Sequence, residues 1–272
     1  LEKILLDEIL ESFKIKGSLV SCERYGSGHI NDTHLLVMAD GDRESNYVLQ
    51  RINKRVFKDP PSLMNNFGAV TDYLKRIFKE RGEDYRRKTL NLVKTKDGKY
   101  YHEDTSGEIW RIHHYVADSM SYDKVERPEQ FYDSAVAFGN FQYLLKDYPA
   151  DTLNETIVNF HNTKQRFVNF EAGVVRNASG RADQAAAEIE FLRARAHKAT
   201  YLVDRIESGV LPLRVTHNDT KINNILFDQD TGEAKTVIDL DTVMPGLVAH
   251  DFGDAIRFAA NTAAEDEPDL SK

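Results

Sequence analysis

The chain has 272 residues, of which 41% are hydrophobic and 29% charged, with a net charge of −8. That is long enough for one large or two modest domains with a real core, and the balance is ordinary for a soluble globular protein. The acidic charge argues against nucleic acid as a partner, and no apolar run approaches the roughly 20 residues that span a bilayer. Cys22 is the single cysteine, so no internal disulfide forms, which suits a reducing, cytoplasmic setting. The charge is uneven. Residues 41–99 hold 15 Lys/Arg against 8 Asp/Glu, a local excess of +7, which leaves −15 for the rest. A basic segment beside an acidic one fits a triphosphate grip facing a metal-binding half; it equally fits a solvated helix and loop.

Leu1, Ile4, Leu5, Ile9, Leu10 and Phe13 recur at helical spacing, so the first stretch reads as an amphipathic helix and not as a secretory signal. Gly26-Ser27-Gly28-His29-Ile30-Asn31-Asp32-Thr33 follows as a glycine turn whose backbone N–H groups could approach phosphates. Leu35 to Met38 and Tyr47 to Leu49 flank Asp40-Gly41-Asp42, which predicts a hairpin. On its second strand Arg51 is the candidate phosphate-binding cation, with Gln50 the rival if the register slips by one. Pro60-Pro61 starts a helix carrying Leu63, Met64, Phe67, Val70, Leu74 and Ile77. Strands are predicted at Leu90 to Val93, near Lys99 to His102, and at Glu108 to Val116. This order implies a small antiparallel sheet with one packed helix. His113-His114-Tyr115-Val116 lies where the texture changes, and His114 and Tyr115 are candidates to border an adenine.

Beyond residues 117–120, the expected domain boundary, helices dominate. They are predicted at Pro128 to Lys146, Thr163 to Phe170 and Arg181 to Ser208, the last rich in alanine and closed by Gly209. Phe160-His161-Asn162-Thr163 either caps the middle helix through Asn162 or Thr163 or presents His161 to a substrate. Strands return at Asn224 to Phe227 and Lys235 to Leu240, and a last helix starts near Asp251.

The stretch His217-Asn218-Asp219-Thr220-Lys221-Ile222-Asn223-Asn224, followed by Val237-Ile238-Asp239-Leu240-Asp241, carries the chemistry. Asp219 can orient a hydroxyl nucleophile and take its proton. Asn224 and Asp239 can hold a magnesium ion through hard oxygens, and Asp241 is a further candidate contact, because strict strand alternation points it to the same side as Asp239. Asn223 rivals Asn224, but the spacing favours the latter. Lys221 can neutralise a transferring phosphoryl group or be a solvated lysine. His217 is expected to organise the loop. Asp251-Phe252-Gly253 spells the protein-kinase metal triplet but lies 32 residues past Asp219 and opens a helix. Asp251 and Asp254 are therefore expected to anchor the loop through backbone N–H groups. The plain alternative is a loop in which Asp219 and Asn224 only cap turns. A different class, a metal-dependent hydrolase, would gather His217, Asp219, Asp239, Asp241, His250 and Asp251 around one ion.

Together these residues resemble the aminoglycoside phosphotransferase/choline kinase superfamily, and more closely the N-acetylhexosamine 1-kinases. The words that carry the closer resemblance are Gly28 to Thr33, Tyr47 to Asn53, Phe160 to Thr163, His217 to Asp219 and Asp239 to Gly246. The resemblance runs from about residue 15 to 262. It implies an α+β, bilobal, protein-kinase-like fold, with a small antiparallel-sheet lobe at 1–117 that binds nucleotide. The larger, mainly helical lobe at 118–272 would be catalytic and substrate-binding. It implies ATP as co-substrate, Mg2+ as cofactor and an N-acetylhexosamine as acceptor, with no nucleic acid or membrane partner. Asp219 would act on the anomeric hydroxyl, Gly26, Ser27 and Gly28 would meet phosphate, and His29, Asn31 and Asp32 would lie near phosphate or sugar. The lysine–glutamate pair of protein kinases is not recognisable, and family members run on by several helices past the point where this chain stops. Other acceptors of the same chemistry are homoserine, choline-like alcohols and aminoglycosides. A non-catalytic nucleotide-binding module is the remaining reading.

Overall fold

A computed structural model describes residues 1–26 and 30–261. A first helix, α1 (Lys3–Ser12), precedes an antiparallel sheet built from β1 (Ser18–Arg24), β2 (Asp32–Asp40), β3 (Arg43–Arg51), β4 (His102–Glu103) and β5 (Ile109–His114). The strand order is β1-β2-β3-β5-β4. The β2–β3 hairpin pairs Asp40 with Arg43 across Gly41-Asp42, and Gly41 takes φ +62, which glycine adopts without steric cost. Tyr47, Val48 and Leu49 are consecutive and all buried, because this middle strand is covered on both faces. One face packs on α1 through Leu6, Ile9, Phe13, Leu36, Leu49, Trp110 and Ile112.

The other face meets α2 (Pro60–Glu80). Asp59 caps this helix, accepting from the Ser62 N–H at 3.2 Å, and Pro60 occupies its first turn. Leu63, Met64, Phe67, Val70, Leu74 and Phe78 form its buried stripe. The core they enter is shared between the two halves of the chain: Ile52, Phe57 and Ile109 join Phe141, Leu153, Val215, Leu240 and Val243. Buried Asn66 adds a polar tie, donating to the carbonyls of Asn154 (2.7 Å) and Val243 (3.0 Å).

After β6 (Ser119–Met120) come α3 (Pro128–Leu144), α4 (Thr163–Arg176), α5 (Ala186–Arg193) and α6 (Ala196–Glu207). Then follow β7 (Arg214–Thr216), β8 (Ile225–Asp228), β9 (Ala234–Val237), β10 (Met244–Gly246) and α7 (Val248–Ala260). These strands form a β6-β8-β9 sheet and a β10-β7 pair. No helix among the described residues is long and apolar enough to cross a membrane.

Several elements depart from the sequence reading. β1 has only weak alternation and was not anticipated; pairing with β2 makes it a strand. Leu90 to Val93 forms no strand, only a bridge from Leu92 to His113. The predicted helix at 181–208 is interrupted between α5 and α6, with no proline or glycine at the break. Tertiary contacts shape it: Arg193 binds Glu171 at 2.8 Å, and Lys164 binds Asp204 at 3.0 Å, so both pieces reach α4. β9 stops at Val237, short of the predicted Leu240.

Truncating Phe67, the ring that α2 sets between the sheet and the Leu240–Val243 segment, removes packing from both halves at once. Phe67→Ala is expected to cost about 3–5 kcal/mol, read as a lower urea midpoint at unchanged slope. A loss below about 1 kcal/mol would show that this core relaxes around the gap.

Candidate active site

β7 delivers the chain into His217-Asn218-Asp219, where Asn218 takes the left-handed φ of +67. Asp251, in the first turn of α7 and 2% exposed, fixes this bend. Its Oδ2 accepts the His217 N–H at 2.9 Å and its Oδ1 the Asn218 N–H at 2.7 Å; Gln142 donates to Oδ2 at 2.7 Å. Asp254 accepts the Thr220 N–H at 2.8 Å. Asp251 lies in the first turn of α7, where the helix dipole favours negative charge. Asn218 donates to the carbonyls of Thr216 (3.2 Å) and Thr242 (2.9 Å). Gly246 must be glycine here, because a Cβ would lie 2.2 Å from Thr216 Oγ1 and 2.8 Å from Asn218 Oδ1.

His217 is fully buried against Phe138 and Phe141. Its Nδ1 accepts the Asp219 N–H at 3.3 Å, so Nε2 carries the proton and donates to the Ile238 carbonyl at 2.9 Å. The imidazole thereby joins the Asp219 loop to the segment that leads into Asp239.

Asp219 and Asn224 lie side by side. Asn224 Nδ2 donates to the Asp219 carbonyl at 2.8 Å and to its carboxylate at 3.0 Å. Because both neighbours are acceptors, the amide orientation is set, and Oδ1 makes no hydrogen bond among the described residues. Lys221 Nζ is 3.4 Å from the other Asp219 oxygen. Asp239 stands at φ +55, and a short helical turn, Leu240–Thr242, follows it. The strand alternation assumed from sequence is thus broken, and Asp239 and Asp241 point apart in role. The Asp239 carboxylate has no hydrogen-bond or ion-pair partner among the described residues. It is open to solvent on one side, yet protein surrounds it closely enough that desolvation, then Asp241 and Asp219, push its carboxyl up to about 7. One acid and one amide oxygen are a small donor set. It fits a hard divalent cation that keeps waters and takes further ligands from phosphates.

Asp241 is not a second cation contact. It is 1% exposed and pairs with Arg111 of β5, whose Nη2 lies 3.1 Å from Oδ2. Asn31 donates to the same oxygen at 2.6 Å and accepts the Asn53 N–H at 3.0 Å. Asn31 is therefore a clasp between the β2 entry and the Asp241 turn, with its amide engaged at both ends. Asp32 pairs with Arg51 at 3.3 Å. Arg51 is exposed and 5.8 Å from the Trp110 ring, on the sheet face opposite Gln50 and Arg111. The structure thus separates Arg51 and Asp32 from Asp219. Gln50 faces the inner side and accepts from Arg111 Nε at 2.9 Å. His114 is exposed and stacks on Tyr47 at 4.9 Å, on the α1 side of the sheet. Tyr115 meets Tyr25 edge-on at 5.9 Å. His161 reaches the catalytic loop, its Nε2 being 2.8 Å from the Asn218 carbonyl, while Asn162 caps α4 by accepting the Gln165 N–H at 2.9 Å. Gly26 takes φ +81; Ser27, Gly28 and His29 lie outside the described residues.

Among the described residues no three His, Cys, Asp or Glu side chains gather as a cation site. The acids grouped by the hydrolase reading are distributed instead: Asp251 to amides, Asp241 to Arg111, His217 to the loop. Arg111 was missed from the sequence. Its signal is a lone charge within Ile109-Trp110-Arg111-Ile112-His113, a strand segment buried throughout.

The phosphotransferase enzyme family matches residues 21–270, and the chain belongs to it. Among solved structures it is similar to an aminoglycoside phosphotransferase from Alicyclobacillus acidocaldarius, at TM-score 0.59 and 14% identity, over 94% of this chain and 70% of that one. It is also similar to choline kinase from Cryptosporidium parvum Iowa II, at TM-score 0.53 and 14% identity, over 89% of this chain and 64% of that one. At these identities the likeness is one of fold, and it matches the α+β, protein-kinase-like architecture. The family is one of phosphotransferase enzymes, so the chain is assigned as a kinase.

The raised Asp239 carboxyl has a consequence for stability. Below about 3.8 both folded and unfolded chains hold the proton; between there and about 7 only the folded chain does. Folding stability therefore falls as pH rises through that window. Asp239→Asn is expected to remove this slope and to stabilise the cation-free protein at pH 8. The gain is on the order of 1 kcal/mol, discounted because the side chain is open to solvent. Thermal unfolding against pH, with chelator present, is the check; an unchanged slope would refute it.

Proposed function

We propose that this kinase transfers the terminal phosphoryl group of ATP to the anomeric hydroxyl of an N-acetylhexosamine, giving the sugar 1-phosphate. The observation that carries the phosphotransfer reading is the Asp219–Asn224 pair beside Asp239, whose carboxylate has no partner among the described residues. The acceptor rests on the sequence words Tyr47 to Asn53, Phe160 to Thr163 and Asp239 to Gly246, which resemble the N-acetylhexosamine 1-kinases.

Asp219 accepts a hydrogen bond from the acceptor hydroxyl, orients it, and takes its proton as the bond to phosphorus forms and the bond from that phosphorus to the oxygen of the β-phosphate breaks, ADP leaving with that oxygen. Asn224 holds Asp219 in place through two hydrogen bonds, one to its backbone carbonyl and one to its carboxylate. Lys221, beside Asp219, supplies positive charge where negative charge develops. Asn224 Oδ1 and the Asp239 carboxylate would hold Mg2+. Held there, the ion would supply positive charge against the nucleotide phosphates. In this reading residues 1–117 contribute the nucleotide side, with Gly26 to Gly28 and Tyr115 along it. Residues 118–272 contribute the acceptor side, with His161 along it.

Phosphorus NMR of the product formed from N-acetylglucosamine and magnesium ATP tests the acceptor. A resonance coupled to the anomeric proton is the expected result. Phosphate appearing only with choline, homoserine or an aminoglycoside would keep the phosphotransfer reading and overturn the sugar. Asp219→Asn is expected to lower kcat by about 10²–10⁴-fold with KM for ATP little changed, by a coupled ADP assay. Near-parental kcat in folded protein would remove Asp219 from the chemistry.

A further inference from the structure

Arg111 and Asp241 are each 1% exposed and lie 130 residues apart in the chain. Each is satisfied on every side the fold offers. Arg111 Nε donates to Gln50 at 2.9 Å, and the guanidinium lies 4.7 Å from the Phe67 ring of α2. Asp241 Oδ2 receives both Arg111 Nη2 and, at 2.6 Å, Asn31 Nδ2. A buried ion pair of this kind is a weak source of stability, since apolar residues of similar volume often replace one without loss. Its placement is more informative. Asp241 is two residues past Asp239 and within the turn that Asp239 starts. In the same turn Leu240 and Val243 are buried in the core, and Thr242 Oγ1 donates to the His217 carbonyl at 2.7 Å. Residues 240–243 are thus held by side chains, and Asp239 alone is left facing solvent in a left-handed conformation. Such a conformation persists only where the surroundings impose it.

We propose that Arg111 and Asp241 are positioning residues, an ion pair that ties the sheet to the turn carrying Asp239 and sets that carboxylate for cation and nucleotide. The pair joins β5 to the turn after Asp239, whereas the lysine–glutamate pair of protein kinases joins a strand to a helix. The inference rests on the phosphotransferase reading of Asp219 and Asp239. Neither residue touches the reacting atoms: Arg111 is too buried to meet a phosphate, and the Asp241 oxygens are occupied.

The test compares the full chain with the double variant Arg111→Met/Asp241→Leu, the single variant Arg111→Lys and Asn31→Ala. The readouts are thermal unfolding, Mn2+ affinity in the presence of ADP by electron paramagnetic resonance, and steady-state kinetics. The double variant is expected to melt close to the parent, because the apolar pair packs in place of the charged one. Its Mn2+ affinity is expected to fall about tenfold or more and its kcat about 100-fold, with KM for the acceptor within about threefold. Arg111→Lys keeps the charge but loses the fork, and should fall between parent and double variant. A folded double variant with Mn2+ affinity and kcat within about threefold of the parent would overturn the proposal. If the double variant does not fold, Arg111→Lys decides: it keeps the charge and loses the bidentate fork on Asp241, so weakened Mn2+ binding supports the role and unchanged binding overturns it. Asn31→Ala removes one bond to Asp241 and keeps the ion pair, so a loss of Mn2+ binding there as large as in Arg111→Lys would place the effect outside the pair and overturn the proposal. If the parent transfers phosphate to no acceptor, the phosphotransfer reading fails. The Mn2+ comparison then still decides whether the pair positions Asp239.

Discussion

The Asp251 carboxylate, buried at the start of α7, holds together the backbone on which everything chemical here depends. It takes the N–H groups of two successive residues, His217 and Asn218, at a point where Asn218 is left-handed and cannot satisfy them in a sheet. Removing it would leave two buried donors without acceptors, each costing about 1–3 kcal/mol. From that bend the chain reaches Asp219 in one direction, and through the imidazole of His217 and the amide of Asn218 it reaches Ile238 and Thr242. Asp219 and Asp239 are thus set by one hydrogen-bonded unit, although they are 20 residues apart.

A second unit fixes the same segment from the opposite side. α2 packs Phe67 and Met64 beside Arg111 and sends Asn66 to the Val243 carbonyl, and β5 delivers Arg111 to Asp241. The Asp239 turn is therefore clamped between the catalytic loop and the sheet. The shared core, in which Ile52 and Ile109 meet Leu240 and Val243, makes that clamp a property of the packing and not of a hinge surface.

Much of this was legible in the sequence, for physical reasons that differ by element. The β2–β3 hairpin and α2 are specified locally, by Gly41 at a positive φ and by Asp59-Pro60-Pro61 at a helix start. The spacing of Asp219 and Asn224 is also local, since a single short turn between them brings the amide to the carboxylate. What was not legible depends on distant partners. Arg51 was expected as the phosphate-binding cation of its strand, and only the pairing with Trp110 reveals which face it occupies. Asp241 looked like a metal contact by strand alternation, yet the backbone leaves the extended region at Asp239. Arg111 and Asn31 are paired with a residue 130 and 210 positions away, and no local pattern announces such a partner.

The electrostatics of the site follow from these assignments. Three carboxylates, Asp219, Asp239 and Asp241, influence one another closely enough to raise the Asp239 carboxyl. Asp241 has Arg111 as counter-charge and Asp219 has Lys221. Asp239 has neither cation as a direct partner among the described residues, and it is the member left open to solvent. The protein has compensated the charges that organise the site and left uncompensated the one that faces outward. Had the Arg111 charge been placed against Asp239 instead, the same residues would fold with similar net charge but close the outward carboxylate to any cation. The ion pair therefore matters less for the energy it adds than for which of two neighbouring acids it removes from the reactive surface.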